Sequence, residues 1–192
     1  ISYLIKKITK CKVIIPPKIT KKTIELGSRY SPDYVCAPFK YNLGNYIEAI
    51  EQGANIILQA GGGCRYGYYA ELQEQILTDL NYEFKFINFM ENNHISIKKI
   101  YKFAKKMNPK LNIFNFIYHG LNTIIMIIIM DKLGKYKREN IGFEAEKDSY
   151  KNTENCFLTE LKKFNKSPLN LIKIYFKYKR KYKTIKINKP KN

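Results

Sequence analysis

Two cysteines stand where thiolate chemistry is feasible. Cys36 lies in Tyr34-Val35-Cys36-Ala37-Pro38-Phe39-Lys40, a loop just ahead of a predicted helix. Cys64 lies in Gly61-Gly62-Gly63-Cys64-Arg65-Tyr66-Gly67, between a predicted strand and the next helix. Both fall near helix N-termini, where unpaired N–H groups and the helix dipole favour a thiolate. Each has a cation within a few residues, Lys40 or Arg65. An iron–sulfur cluster held by thiolates carries negative charge, so N–H donors and nearby cations are what it would need. Gly61, Gly62 and Gly63 would let the backbone approach a bulky ligand and take up positive φ.

On the residues alone the plainer reading stands ahead: a tight turn between strand and helix, with both cysteines as small buried hydrophobes. Two cysteines do not complete an ordinary cluster, which takes three or four protein ligands. A phosphate-binding loop is a third reading, but no Gly-Lys-Ser/Thr or GxGxxG pattern accompanies the glycines. Cys11 and Cys156 read as structural. His94 and His119 are the only histidines, and no Ser/His/Asp or HExxH arrangement includes them. Glu48 and Glu71 follow the cysteine loops on helices and read as solvated faces or helix-end charges. Asn165-Lys166-Ser167 fits a glycosylation pattern by chance, since no secretory signal accompanies it.

The elements that must position these residues differ between the two halves. Lys12–Ile15 predicts a short strand ended by Pro16-Pro17, and Thr20–Gly27 a short helix with Gly27 as its stop. Ser31-Pro32-Asp33 is turn chemistry. Tyr41–Gln52 predicts a helix ended by Gly53, Ala54–Ala60 a buried strand, Tyr68–Leu80 an amphipathic helix and Glu83–Phe89 a third strand. That order suits a parallel sheet with crossover helices, whose ligands collect at the carboxyl ends of the strands. From Ile95 onward the spacing is helical, near Ile95–Met107, Leu111–Tyr136, Asn152–Phe164 and Pro168–Lys181, with breaks expected at Pro109, the Gly134 region and Ser167-Pro168. Ser167 predicts an N-cap, with Pro168 at the first helical position.

The net charge of +19 favours nucleic acid, anionic membrane or acidic partners, but it is unevenly spread. No acidic residue occurs from Asn170 to Asn192, where Lys173, Lys177, Lys179, Arg180, Lys181 and Lys183 crowd together. Ile174, Tyr175 and Tyr178 between the lysines could stack on bases. The plainer reading is an exposed helix that docks an apolar stripe on the protein. Nucleic acid and membrane are therefore not the expected partners. Leu111–Met130 raises the membrane question again, yet Asn112, Asn115, His119, Gly120 and Asn122 interrupt it. A buried or partner-covered helix is expected there. Four scattered cysteines suit a reducing compartment, so a cytoplasmic location is expected.

Longer runs carry a resemblance. Pro16-Pro17-Lys18-Ile19-Thr20-Lys21-Lys22-Thr23-Ile24-Glu25-Leu26-Gly27 leads into Tyr30-Ser31-Pro32-Asp33-Tyr34-Val35-Cys36-Ala37-Pro38-Phe39-Lys40. Leu43-Gly44-Asn45-Tyr46-Ile47-Glu48-Ala49 follows, then Gln59-Ala60-Gly61-Gly62-Gly63-Cys64-Arg65-Tyr66-Gly67-Tyr68-Tyr69-Ala70-Glu71. Together these resemble the activase-related branch of the 2-hydroxyacyl-CoA dehydratase family, iron–sulfur proteins of anaerobes. The likeness runs from about Ile14 to Phe89 and continues more weakly through Tyr136–Glu144.

The resemblance implies a [4Fe-4S]-type cluster used in ATP-coupled low-potential electron transfer to 2-hydroxyacyl-CoA chemistry. Cys36 and Cys64 would be ligands, supported by Lys40, Arg65 and Gly61–Gly63, and the ligand set would be incomplete in this chain. It further implies a C-terminal lobe with another cysteine, an ATPase activator module as partner, and an acyl-CoA as possible substrate. The organisation expected is α/β: a small parallel-sheet, Rossmann-like lobe at 1–92, a mainly helical region at 93–183, and a basic linker at 184–192. Alternatives from other classes are a non-enzymatic basic module that binds nucleic acid or membrane surfaces, and an inactive truncated remnant.

Overall fold

The fold keeps two of the three predicted strands and lengthens most of the helices. The structure, a computed structural model, describes residues 1–15, 18–59, 69–91, 94–163 and 167–188. It is helix-rich, with one small parallel two-stranded sheet. Two compact units divide it: Ser2 with Leu4–Leu111, and Ile1 and Tyr3 with Asn112–Asn192.

The N-terminal unit opens with α1 (Ser2–Thr9), a helix the sequence reading did not anticipate. Lys12–Ile15 forms no strand. Its β-branched residues find no neighbouring strand among the described residues, and β-propensity is mostly a preference for such a neighbour. Next come α2 (Lys21–Tyr30) and α3 (Ala37–Glu51). A reciprocal capping box between Thr20 and Thr23 starts α2.

Gly27 does not end α2, contrary to expectation; it lies inside the helix, facing α3. A Cβ on Gly27 would fall well inside 3.0 Å of the Lys40 carbonyl oxygen, and one on Gly44 equally close to the Thr23 carbonyl. The two helices therefore meet backbone to backbone at a pair of glycines, which no other residue type permits. Beside that crossing, the Thr23 hydroxyl donates to Glu48 Oε2 at 2.8 Å, with both side chains buried. Glu48 is thus a core residue and not part of a solvated face.

Gln52 and Gly53, the latter at φ +91°, end α3. β1 (Ile56–Gln59), α4 (Tyr69–Asp79) and β2 (Lys85–Asn88) follow, and β1 pairs with β2 in parallel from Ile56↔Lys85 to Gln59↔Asn88. Phe39, Leu43 and Ile47 of α3 form a fully buried cluster with Leu77 of α4. A short antiparallel pair, β3 (Met90–Glu91) with β4 (His94–Ile95), leads into α5 (Ile97–Met107), which Ser96 caps by accepting from Lys99 N–H.

In the C-terminal unit α6 (Ile113–Asn140) runs without a break through the Gly134 region. Glycine weakens a helix by about 1 kcal/mol but does not stop one that packs well on either side. A 3-10 turn (Ile141–Phe143) precedes α7 (Ser149–Lys163) and α8 (Pro168–Thr184). Met126, Ile129 and Leu133 of α6 pack with Tyr150 and Phe157 of α7 and with Leu171, Tyr178 and Tyr182 of α8. Tyr150 and Tyr182 stack at 5.7 Å. Ser167 sits at the N-cap of α8 without a side-chain cap bond. Glu144 caps α7 instead, accepting from Asp148 N–H, Tyr150 N–H and the Ser149 hydroxyl. Beyond α8 the chain returns to that turn: Asn188 N–H donates to the Phe143 carbonyl, and Glu144 bridges Ile187.

Candidate functional site

Cys36 occupies the N-cap of α3, which begins four residues earlier than its apolar periodicity suggested. Pro38 in the first turn is the signal that marks the true start. The turn before it is held by Ser31 N–H donating to Gly27 O and Val35 N–H donating to Pro32 O. The Cys36 side chain is exposed and makes no capping bond. Fewer amides are free here than a generic helix start offers. Pro38 has no N–H, and the N–H groups of Phe39 and Lys40 both donate to the Cys36 carbonyl.

What the helix end does not supply, a neighbouring phenol does. Cys36 Sγ lies 3.1 Å from the Tyr69 hydroxyl, which can donate to a thiolate. Tyr69 is the first residue of α4, and its ring meets that of Phe39 edge-on at 4.9 Å. One turn further along α4, buried Gln73 donates Nε2–H to the Phe39 carbonyl at 3.4 Å. The N-terminal turns of α3 and α4 are thereby clasped by a sulfur–hydroxyl contact, a ring pair and an amide–carbonyl bond. Lys40 is half-buried one turn on from Cys36, on the same side of α3. Glu71 lies in the first turn of α4, where a carboxylate complements the dipole.

The sheet brings β1 to the same neighbourhood. Tyr46 of α3 donates its hydroxyl to Gln59 Oε1 at 3.2 Å, at the carboxyl end of β1, and burial pushes the Tyr46 phenol up to about 12. Gln59 closes the parallel ladder by accepting from Phe89 N–H. Gly61, Gly62, Gly63, Cys64 and Arg65 lie outside the described residues. Of the predicted site the structure therefore describes Cys36 and Lys40. Neither Tyr69 nor Gln73 was assigned a role from sequence, because a tyrosine and a glutamine on an amphipathic helix carry no local signal of what they touch.

The other candidates lie apart from this clasp. Cys11 is half-buried and directs its thiol to the Thr9 carbonyl, and Cys156 is exposed on α7. His94 is exposed in β4. Among the described residues no three His, Cys, Asp or Glu side chains converge on a point that could hold a metal ion. On α8, Tyr178 and Tyr182 belong to the core and do not face solvent as a stacking platform. Lys177 pairs with Glu160 at 2.7 Å, and Lys177 and Lys181 lie over the Tyr178 ring.

As a potential cluster ligand Cys36 fits in chemistry: a thiol, accessible, at a helix start, with a hydroxyl donor at its sulfur. Comparisons with protein families, curated proteins and solved structures gave no match to the chain, so the case for its function rests on this site and on the sequence motifs around it.

Proposed function

We propose that the chain is a component of a cytoplasmic iron–sulfur protein of the acyl-CoA dehydratase and activase kind, in which Cys36 and Cys64 are ligands of a [4Fe-4S]-type cluster. The observation that carries the reading is the exposed Cys36 thiol 3.1 Å from the hydroxyl of Tyr69. Tyr69 opens the helix into which the Gly61–Cys64 segment leads, and Cys64 precedes it by five residues. That closeness in the chain supports reading Cys36 and Cys64 as parts of one site. The parallel pairing of β1 with β2 around α4 is the strand–helix–strand unit from which a Rossmann-like lobe is built, and we read the unit as such a lobe.

When bound, a cluster of this type supplies a low-potential one-electron couple. Cys36 would hold it, the Tyr69 hydroxyl would donate a hydrogen bond to the ligating sulfur, and Lys40 and Arg65 would offset its negative charge. The remaining ligands, an ATPase activator and a 2-hydroxyacyl-CoA substrate are the partners this reading requires.

The test is iron and acid-labile sulfide content, with the visible spectrum, after anaerobic reconstitution of the full-length protein that this reading requires, further lobe included, and of its Cys36→Ala and Cys64→Ala variants. Iron that is lost in both variants, with unchanged helicity, supports the site. Iron that is indifferent to both, or none in the parent, refutes it.

A further inference from the structure

The first two-thirds of α6 carries no charged residue and bears large apolar side chains on more than one side, although only one side of it is covered. Asn122, Met126, Ile129 and Leu133 are buried, the last three against α7 and α8. On the opposite side Phe114, Ile117, Leu121, Ile124 and Ile128 are each between 47% and 80% exposed. Their spacing of three, four, three and four residues is that of a helix–helix seam. Exposed Ile113, Tyr118 and Ile127 flank the row. At about 200 Å² per large side chain the face presents on the order of 600 to 800 Å² of apolar surface. A monomer's largest patch is typically about 300–600 Å², and one partner of a stable complex buries about 800 Å².

We propose that this face is covered by the same face of a second copy, the two α6 helices running antiparallel about a two-fold axis at Leu121. The inference is independent of the cluster reading. The row is nearly symmetric about Leu121, so the axis would set Phe114 against Ile128, Ile117 against Ile124, and Leu121 against itself. An isologous interface requires that self-complementarity. No charged residue occurs from Ile113 to Met130; Asp131 and Lys132 come first after it.

Gly120 supplies a separate observation. A Cβ built there meets nothing within 4 Å, so the chain's own packing does not require a glycine at a position where it weakens the helix. Next to the two-fold axis, a glycine lets a partner helix approach closely.

A bilayer is the competing occupant, since 113–143 is long and apolar enough to cross one, with 22% of its apolar window buried. But α7 and α8 pack along the same helix, with the ion pairs Lys137–Glu154 at 2.6 Å between α6 and α7 and Lys177–Glu160 at 2.7 Å between α8 and α7. A span would draw those charges toward hydrocarbon, where they are costly.

Sedimentation velocity of the full chain between about 1 and 100 μM tests the proposal, with far-UV circular dichroism as the check on folding. A dimer is expected, weakened at least about tenfold by Leu121→Lys, which places a charge on the axis. Gly120→Ile adds bulk where a Cβ meets nothing within 4 Å and is expected to weaken it as much, at unchanged helicity. The dimer should tighten with added salt, which screens repulsion between two chains of net charge +19. A wild-type chain that stays monomeric at about 100 μM overturns the proposal, as does a dimer indifferent to both variants. Co-sedimentation with vesicles of about three parts zwitterionic to one part anionic lipid, seen for a monomer and lost in Leu121→Lys, overturns it in favour of the membrane.

Discussion

Replacing Gly44 with Ala should unfold the N-terminal unit far more readily than a one-methyl change suggests. The new Cβ would sit well inside 3.0 Å of the Thr23 carbonyl oxygen, a backbone atom with no rotamer to escape into. Relief requires α2 and α3 to move apart by about 1 Å, and overpacking of this kind typically costs about 1–3 kcal/mol. The same movement pulls Thr23 from Glu48, stretching the 2.8 Å bond between a buried hydroxyl and a buried carboxylate. Leaving such groups unsatisfied costs about another 1–3 kcal/mol. Alanine returns about 1 kcal/mol through its better helix propensity. The net expectation is a destabilisation of about 3 kcal/mol.

Urea unfolding read by hydrogen exchange of peptides from α2 and α3 reports this unit apart from the other. Gly27→Ala should behave alike, because its Cβ would meet the Lys40 carbonyl. Gly142→Ala, whose Cβ meets nothing within 4 Å, should stay within about 0.5 kcal/mol of wild type. If Gly27→Ala and Gly44→Ala also stayed within about 0.5 kcal/mol, the backbone-to-backbone crossing would be wrong.

In the cluster-free native chain the exposed thiols of Cys36 and Cys156 should be alkylated before half-buried Cys11, as followed by mass spectrometry; faster labelling of Cys11 would contradict the placement. Alkali should loosen both units through Tyr46, Tyr178 and Tyr182, whose phenols burial pushes up to about 12, helped at Tyr178 by its bond to Glu160. A raised value means the folded state holds the proton more tightly, so this stability is intact below about pH 10 and is lost between about 10 and 12. Ultraviolet phenolate absorbance should show these three ionising last, and a single step near pH 10 with helicity intact would refute it. At the acid end, the Tyr150 N–H first, then the Asp148 N–H and the Ser149 hydroxyl, hold Glu144 below the ordinary carboxylate range. Its stabilisation of α7 is therefore present above about pH 4 and is lost as pH falls through the lowered value. Glu144→Ala should speed amide exchange at Ser149–Asn152 at neutral pH, and the difference should vanish in acid.

The strongly periodic elements were legible. The α3 core face of Leu43, Ile47 and Ile50, the strand before the glycines and the helix after them all came from spacing, and the parallel sense of the sheet from the order of its elements, although two strands pair where three were expected. What escaped depends on the partner. Lys12–Ile15 has strand composition but no neighbour to pair with among the described residues, and Gly27 looks like a helix stop until α3 is laid across it. Glu48 is charged and sits on a helix, so nothing local distinguishes a buried acceptor for Thr23 from a solvated carboxylate. The candidate site shows the same division: Cys36 stood out by its loop ahead of a predicted helix and by the nearby Lys40, whereas Tyr69, 33 residues away, is joined to it only by the fold.

The glycine crossing also bears on the order in which the N-terminal unit assembles. Gly27 meets Lys40 across 13 residues of chain, while Ile56 must find Lys85 across 29. Loop-closure entropy alone separates these by only about 0.7 kcal/mol. Two four-residue strands, however, gain little from pairing until α3 lies against them through Tyr46, which meets Phe86 and Gln59. The helix pair should form first and serve as a template on which the strands later align. In a pulse-labelling refolding experiment the amides of α2 and α3 would then be protected ahead of those of β1, and the reverse order would place the nucleus in the sheet.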